Sequence, residues 1–177
     1  MNKFLDKNKG WHVLYTRPRY EKKLRDLLAR QGIDVFLPLY KTVRQWSDRR
    51  KKMEVPLFTS YIFVKADENN YLDILNTPGS VKLVEFEGKP AIISEKEIET
   101  INQILQHPSM VAVEDYKIVK GDRIKVSAGP FKNIEGVFLN LKSKNKLVIQ
   151  IEQLGKNILL ELPGYNIQSL SKTPALD

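Results

Sequence analysis

Histidines, cysteines, clustered carboxylates and glycine-rich loops carry most catalytic and metal chemistry, and this 177-residue chain offers few of them in usable arrangements. The two histidines, His12 and His107, fall in different predicted elements. Neither has a His, Asp or Glu at ligand spacing beside it, so no metal site is expected. The absence of cysteine excludes disulfides, thiolate zinc sites and cysteine nucleophiles, and fits a reducing compartment such as the cytoplasm. No glycine-rich strand-to-helix loop or nucleophile elbow occurs. Glu95, Glu97 and Glu99 sit in the first turn of a predicted helix, where carboxylates complement the helix dipole. Neither an enzyme nor a cofactor is expected.

What remains is the chemistry of binding. Lys and Arg number 29 against 21 Asp and Glu, a formal net charge of +8, with a sequence pI of about 9.5. The excess is uneven: residues 1–65 carry +10, residues 66–116 carry −7, and residues 117–177 carry +5. Phosphate should therefore be drawn to the first third and repelled by the middle. Basic side chains there form two groups. Arg19, Lys22, Lys23 and Arg30, with Asp26 among them, fall on one predicted helix face, and Arg49, Arg50, Lys51 and Lys52 follow at a polar turn. Interleaved aromatics, Trp11, Tyr15, Phe58, Tyr61 and Phe63, supply apolar surface that is either core or a protein-binding patch.

These groups need elements to hold them. Trp11 to Thr16 reads as a buried strand ending at Arg17-Pro18. Pro18 is placed in the first turn of a helix whose Tyr20, Leu24, Leu27 and Leu28 share a face and which Gly32 ends. Ile33 to Tyr40 reads as a strand with Pro38 at an edge. Val55 to Ala66 reads as one long strand, with Phe58, Ser60, Ile62 and Val64 on one face and Leu57, Thr59, Tyr61 and Phe63 on the other. A short helix over 69–76, a turn at Thr77-Pro78-Gly79 and a hairpin around Glu87-Gly88 follow. Ser94 with Glu97 forms a capping box for a helix ending at His107-Pro108. An α+β fold, helices on a mainly antiparallel sheet, is expected.

Beyond Ile118 the pattern changes to short strands broken by Gly129-Pro130, 142–146 and Gly155, which suggests a small barrel. The expected division is a polar tail over 1–10, a first domain over 11–107, a linker over 108–117, a second domain over 118–171 and a tail over 172–177. With 42% hydrophobic residues and a mean hydropathy of −0.36, the chain can build cores. It has no apolar run near the roughly 20 residues that a spanning helix needs, and its polar first ten residues do not read as a signal segment. No membrane partner is expected.

Taken together, several segments resemble the NusG family of transcription elongation factors. WHVLYT followed by RPRYEKKLRDLL is similar to the family's opening strand and helix, and PLFTSYIFVKA resembles its FPGYVLV-type signature. NTPGSVKLVEFEGKPAIIS resembles its NTPGV segment, and KGDRIKVSAGPFKNIEGVFLNL resembles the KOW motif of its C-terminal barrel. The likeness runs from about Trp11 to Leu170. It implies an NGN domain, an α/β sandwich with an antiparallel sheet, followed by a small all-β SH3-like KOW barrel.

The resemblance further implies a monomer whose NGN domain binds the clamp helices of RNA polymerase through a hydrophobic depression. Phe58 and Tyr61 match positions lining that depression, with Trp11, Tyr15 and Pro78 as weaker matches. Polymerase gate-loop contact maps near Tyr71 to Asp73, and nontemplate DNA near Arg17, Arg19, Lys23 and Arg30. The KOW domain of the family engages a small-subunit ribosomal protein or Rho, for which Ile134, Val137, Phe138 and Leu139 are the candidates here, with barrel core the favoured reading for most of them.

Two departures stand out. FPGY is here FTSY, with Thr59 and Ser60 in place of proline and glycine, and the glycine after GPF is Asn133, a residue that tolerates left-handed backbone. The first is closer to specialised paralogues of the RfaH, LoaP and UpxY kind, which act on particular operons. Suppression of pausing or termination on selected operons is the leading reading. A housekeeping NusG-like factor and a KOW-type ribosomal or RNA-binding protein are the alternatives. In RfaH the C-terminal domain can form a helical hairpin that masks the polymerase site, but the Leu147-Val148-Ile149 and Ile158-Leu159-Leu160 runs favour strands here.

Overall fold

The computed structural model describes residues 10–45, 50–115, 121–141, 144–162 and 167–171. Of the expected tail over 1–10, residues 1–9 lie outside the described residues and Gly10 opens the first strand; the tail over 172–177, Arg49 and positions 116–120 also lie outside them. The chain divides into two compact units, Met1–Leu105 and Gln106–Asp177.

The first unit opens with β1 (Gly10–Thr16) and α1 (Glu21–Arg30), continues through β2 (Val35–Phe36), β3 (Leu39–Gln45), β4 (Arg50–Pro56) and β5 (Tyr61–Ala66), and then α2 (Tyr71–Asn76). After β6 (Ser80–Leu83), β7 (Glu85–Phe86), β8 (Lys89–Pro90) and β9 (Ile92–Ile93), it closes with α3 (Glu95–Leu105). The main sheet runs β2-β5-β1-β6, with β9 also on β1, and its pairings are antiparallel. In register, Tyr15 faces Tyr61, Val13 faces Phe63 and Leu14 faces Ile62.

Alternation along β1 and β5 divides this sheet into two chemically different faces. Leu14, Ile62, Val64 and Leu83 form one buried cluster with Leu24 and Leu28 of α1 and Ile74 of α2. Leu24 and Leu28 are one turn apart, as the helical period requires. The helix ends where its Gly32 adopts φ +76°, with the Gly32 amide donating to the Ala29 carbonyl and the Ile33 amide to that of Leu28. Burying those carbonyls without partners would be costly, which is why a residue free to adopt φ > 0 sits there. At the other end Pro18 is not helical. Residues 17–20 form a turn, the Tyr20 amide donating to the Arg17 carbonyl at 3.1 Å, so the helix begins at Glu21.

α3 carries the expected capping box: the Ser94 amide donates to Glu97 Oε2 at 2.8 Å and the Glu97 amide to Ser94 Oγ at 3.2 Å. Ile98, Ile101 and Ile104 make its buried stripe.

Two expected strands are broken. Ile33 to Tyr40 becomes β2 and the start of β3, interrupted at Leu37-Pro38. Val55 to Ala66 becomes the end of β4 and β5, separated by a turn over 57–60, so the two-face alternation assigned to Phe58, Thr59 and Ser60 does not hold. The Leu57 amide donates to the Pro38 carbonyl at 2.8 Å, pinning the two breaks together. β3 and β4 instead form their own two-stranded ribbon. The expected basic turn therefore lies in part on a strand, with Arg50, Lys51 and Lys52 in β4.

The second unit is an antiparallel sheet of β10 (Val111–Asp115), β11 (Asp122–Val126), β12 (Glu135–Leu141), β13 (Lys144–Ile151), β14 (Lys156–Glu161) and β15 (Ile167–Ser171), in the order β10-β14-β13-β12-β11-β15. The linker expected over 108–117 is corrected here. Val111–Asp115 is an edge strand paired along its whole length with β14. Its alternation is weak because it buries little. Asn133 adopts φ +72° in the turn after Phe131, as its tolerance of left-handed backbone allows.

Candidate functional site

The second face of the main sheet is aromatic. Trp11 and Tyr15 of β1, Phe36 of β2, and Tyr61 and Phe63 of β5 share it, because directly paired residues of antiparallel strands point to the same side. Their rings form a connected series. Trp11 meets Phe36 edge-on at 6.4 Å, Phe36 lies 5.7 Å from Phe63, and Phe63 meets Phe58 edge-on at 6.1 Å. Tyr15 and Tyr61 cross at 5.4 Å and 62°. Such offset and edge-on contacts suit the ring quadrupoles.

Exposure separates support from surface. Phe63 is fully buried and Phe58 is 1% exposed, whereas Trp11, Tyr15, Phe36 and Tyr61 are half-buried. Phe58 is therefore corrected from a direct contact to packing. The turn over 57–60 swings its ring inward onto Phe63, and burial of a phenyl group is worth roughly 1.5–3 kcal/mol. Tyr61 and Tyr15 leave part of their rings exposed. Phe36 joins them, and only the register with Phe63 reveals it.

Trp11 is partly committed within the protein. Its indole Nε1 donates to Glu95 Oε2 at 2.9 Å, Lys65 Nζ pairs with Glu95 Oε1 at 2.9 Å, and the same ammonium lies 5.2 Å from the indole ring centroid. The Glu95 bond raises the Lys65 pKa. In return, hydrogen bonds from Lys65 and then Trp11 lower that of Glu95. The carboxylate anchors the start of α3 to the rim of the aromatic face. No local spacing announces this: Trp11 and Glu95 are 84 positions apart.

The turn that carries Phe58 is held from below. Ser60 has φ +65°, a region costing an L-residue about 1–2 kcal/mol. Its amide donates to Glu21 Oε1 at 2.9 Å, and its carbonyl accepts from the Thr16 amide at 2.9 Å. Glu21 is buried. The position that the sequence comparison contrasts with glycine thus has the backbone geometry that glycine favours.

Pro78 and Asp73 lie on a different surface. With Gln31, Gly32, Ile33, Asn70, Asn76 and Thr77 they line an open cleft of about 520 Å³. Thr77 Oγ1 donates to the Asp73 carbonyl at 2.7 Å, and lies 3.1 Å from Gln31 Oε1. Tyr71 is half-buried against the α1 cluster. These three are not brought together with the aromatic face.

The basic residues gather around α1. Arg17, Arg19, Lys23 and Arg30 are all exposed. Arg19 adopts φ +63° in the turn before the helix, and Lys23 Nζ sits 5.0 Å from the Tyr20 ring centroid. In the second unit Ile134 is 3% exposed, so it is corrected from partner surface to core. Val137, Phe138 and Leu139 are half-buried.

Against known proteins, the family model described as transcription termination factor nusG matches residues 9–102. The chain is similar to the transcription termination/antitermination protein NusG of Borreliella burgdorferi, 23% identical over 185 residues, 92% of this chain and 100% of that one. It is also similar to the protein of that name in Rickettsia prowazekii, 25% identical over 166 residues, 87% and 86% of the two chains. The solved structure of Thermotoga maritima NusG superposes with a TM-score of 0.52 at 20% identity, covering 93% of this chain and 98% of that one, and so shares the fold.

Proposed function

The chain belongs to the NusG family of transcription termination/antitermination factors, and we propose that it binds RNA polymerase through the aromatic face centred on Tyr15 and Tyr61. The half-buried Tyr15–Tyr61 pair carries this reading. Two amphipathic rings, held over fully buried Phe63 and nearly buried Phe58, offer a preorganised apolar anchor to a pair of polymerase clamp helices. Phe36 and the exposed edge of Trp11 extend the patch, while Tyr71, Asp73 and Pro78 offer a separate polymerase contact. Truncation of Tyr15 and Tyr61 tests the assignment by loss of polymerase capture.

On the same reading, Arg17, Arg19, Lys23 and Arg30 face nontemplate DNA in the transcription complex, attracting phosphate with little sequence preference of their own. The second unit acts as an SH3-like KOW barrel that engages a ribosomal protein or Rho through Val137 and Phe138. Its hairpins support strands in place of a helical masking state.

Suppression of pausing or termination on selected operons is the finer proposal. FTSY in place of FPGY supports it: Ser60 retains a left-handed turn, so the substitution changes the exposed chemistry, through Thr59, more than the shape. Transcript profiling of a deletion strain separates this from a housekeeping role. A selective factor alters one or a few long operons; changes across most transcripts would overturn selectivity and leave polymerase binding standing.

A further inference from the structure

The row of side chains that crosses the aromatic face at Tyr15 ends in a charge. Tyr15 of β1 pairs with Tyr61 of β5 on one flank and with Lys82 of β6 on the other, and directly paired residues point to the same side of the sheet. Lys82 therefore stands beside the tyrosine pair, where cross-strand Cβ atoms are about 5 Å apart, and it is exposed. A bulge in β6 sets this arrangement. The register shifts between Tyr15 and Thr16, so that Thr16 pairs with Ser80 and Val81 is left without a partner on β1. Ser80 can then turn toward the buried side, where its hydroxyl donates to the Ile74 carbonyl at 2.6 Å; re-aiming a side chain in this way is what bulges do. Val81, 49% exposed, and Lys82 stay outside. The other cation in register on this face is Lys65, opposite Trp11. It is already engaged, bonded to Glu95 at 2.9 Å and lying 5.2 Å from the Trp11 ring centroid. Among the described residues Lys82 has neither an ion-pair nor a ring partner.

We propose that Lys82 is the residue that fixes the register of the polymerase on this face, by pairing with an Asp or Glu carboxylate on the helices seated against Tyr15 and Tyr61. The inference rests on the polymerase reading of the aromatic face given above. Two rings accept apolar side chains from a helix laid across them in more than one position, so they supply affinity with little direction. A single charge at one end of the row removes that freedom, because an opposite charge must meet it and a like charge is repelled. A carboxylate suits this ammonium better than a nucleic-acid phosphate does. Lys82 belongs to the third of the chain that carries −7 over residues 66–116, a setting that repels a polyanion. It also stands beside Tyr15 and Val81 instead of in a series of cations, whereas backbone binding draws its strength from several phosphates neutralised together.

The test measures the affinity of the full-length protein for core RNA polymerase, free of nucleic acid, across a salt series, with each variant's fold checked by thermal melting. Lys82→Gln should lower affinity about fivefold at low salt. Lys82→Glu should lower it further, and Lys82→Arg should keep the parent's affinity. These differences should shrink as salt approaches about 1 M, where the Debye length is about 3 Å. A Lys82→Glu variant that binds as tightly as the parent at low salt overturns the proposal, and so does a loss that salt leaves unchanged. A second arm adds a DNA scaffold to the polymerase; a loss that appears only there assigns the ammonium to phosphate and overturns the carboxylate. The Tyr15→Ala/Tyr61→Ala variant, measured alongside, separates this inference from the reading beneath it. If that variant loses polymerase while the Lys82 variants do not, the Lys82 contact alone falls. If it binds like the parent, both fall.

Discussion

The Ser60 amide donates to Glu21 Oε1 at 2.9 Å, so the buried first residue of α1 fixes a left-handed turn on the neighbouring strand. That bond ties the helix to the segment that carries Phe58, and the segment sets the floor of the aromatic face. Glu21→Ala leaves the amide without its partner and should cost about 1–3 kcal/mol. Ser60→Gly relieves the backbone and should gain about 1 kcal/mol. Urea denaturation of both variants measures this. A stabilising Glu21→Ala or a destabilising Ser60→Gly would contradict the account of the turn.

Phe58 and Tyr61 should part company on truncation. Phe58→Ala opens a cavity beside Phe63 and should cost about 3–5 kcal/mol. Tyr61→Ala removes a half-buried ring and should cost clearly less. Comparable losses in thermal melts would mean that the inward turn of Phe58 is wrong.

Local signals made much of the fold legible in the sequence. The leucine period and Gly32 marked α1, and Ser94 with Glu97 marked α3, because caps and helix faces are set within a few residues. The illegible parts depend on distant partners. The break at 57–60 is held by Glu21 and Pro38, β10 exists because β14 accepts it, and the Trp11–Lys65–Glu95 knot joins three elements. The aromatic composition of the candidate face was visible in advance; which rings support it and which present it depends on the turn.

Gly79 is constrained by a neighbour as well as by its backbone. It has φ +102°, and a Cβ there would come within 2.1 Å of the Tyr20 ring. Gly79→Ala should displace Tyr20 and cost more than the ~1 kcal/mol of left-handed strain alone. A thermal melt of the variant matching the parent would show that the ring yields freely.

Burial holds the His12 imidazole below its ordinary pKa of 6.5, against a smaller upward pull from the Ala91 backbone, and Nδ1 has no partner. The unfolded chain therefore takes up this proton before the folded protein does. Stability should fall as pH drops below about 6.5 and level off once the folded imidazole is itself protonated. His12→Leu should flatten that part of the profile, measured by urea midpoint against pH. A variant profile as steep as the parent's would assign the loss to other groups.

The central claim is that the Tyr15–Tyr61 pair is the anchor for RNA polymerase. Its direct measurement is the affinity of full-length protein for core polymerase, comparing the parent with a Tyr15→Ala/Tyr61→Ala variant whose fold is checked by thermal melting. Buried aromatic anchors are worth at least about 2 kcal/mol each, so with both removed affinity should fall by about 700-fold or more. A folded double variant that binds polymerase as tightly as the parent would contradict the assignment.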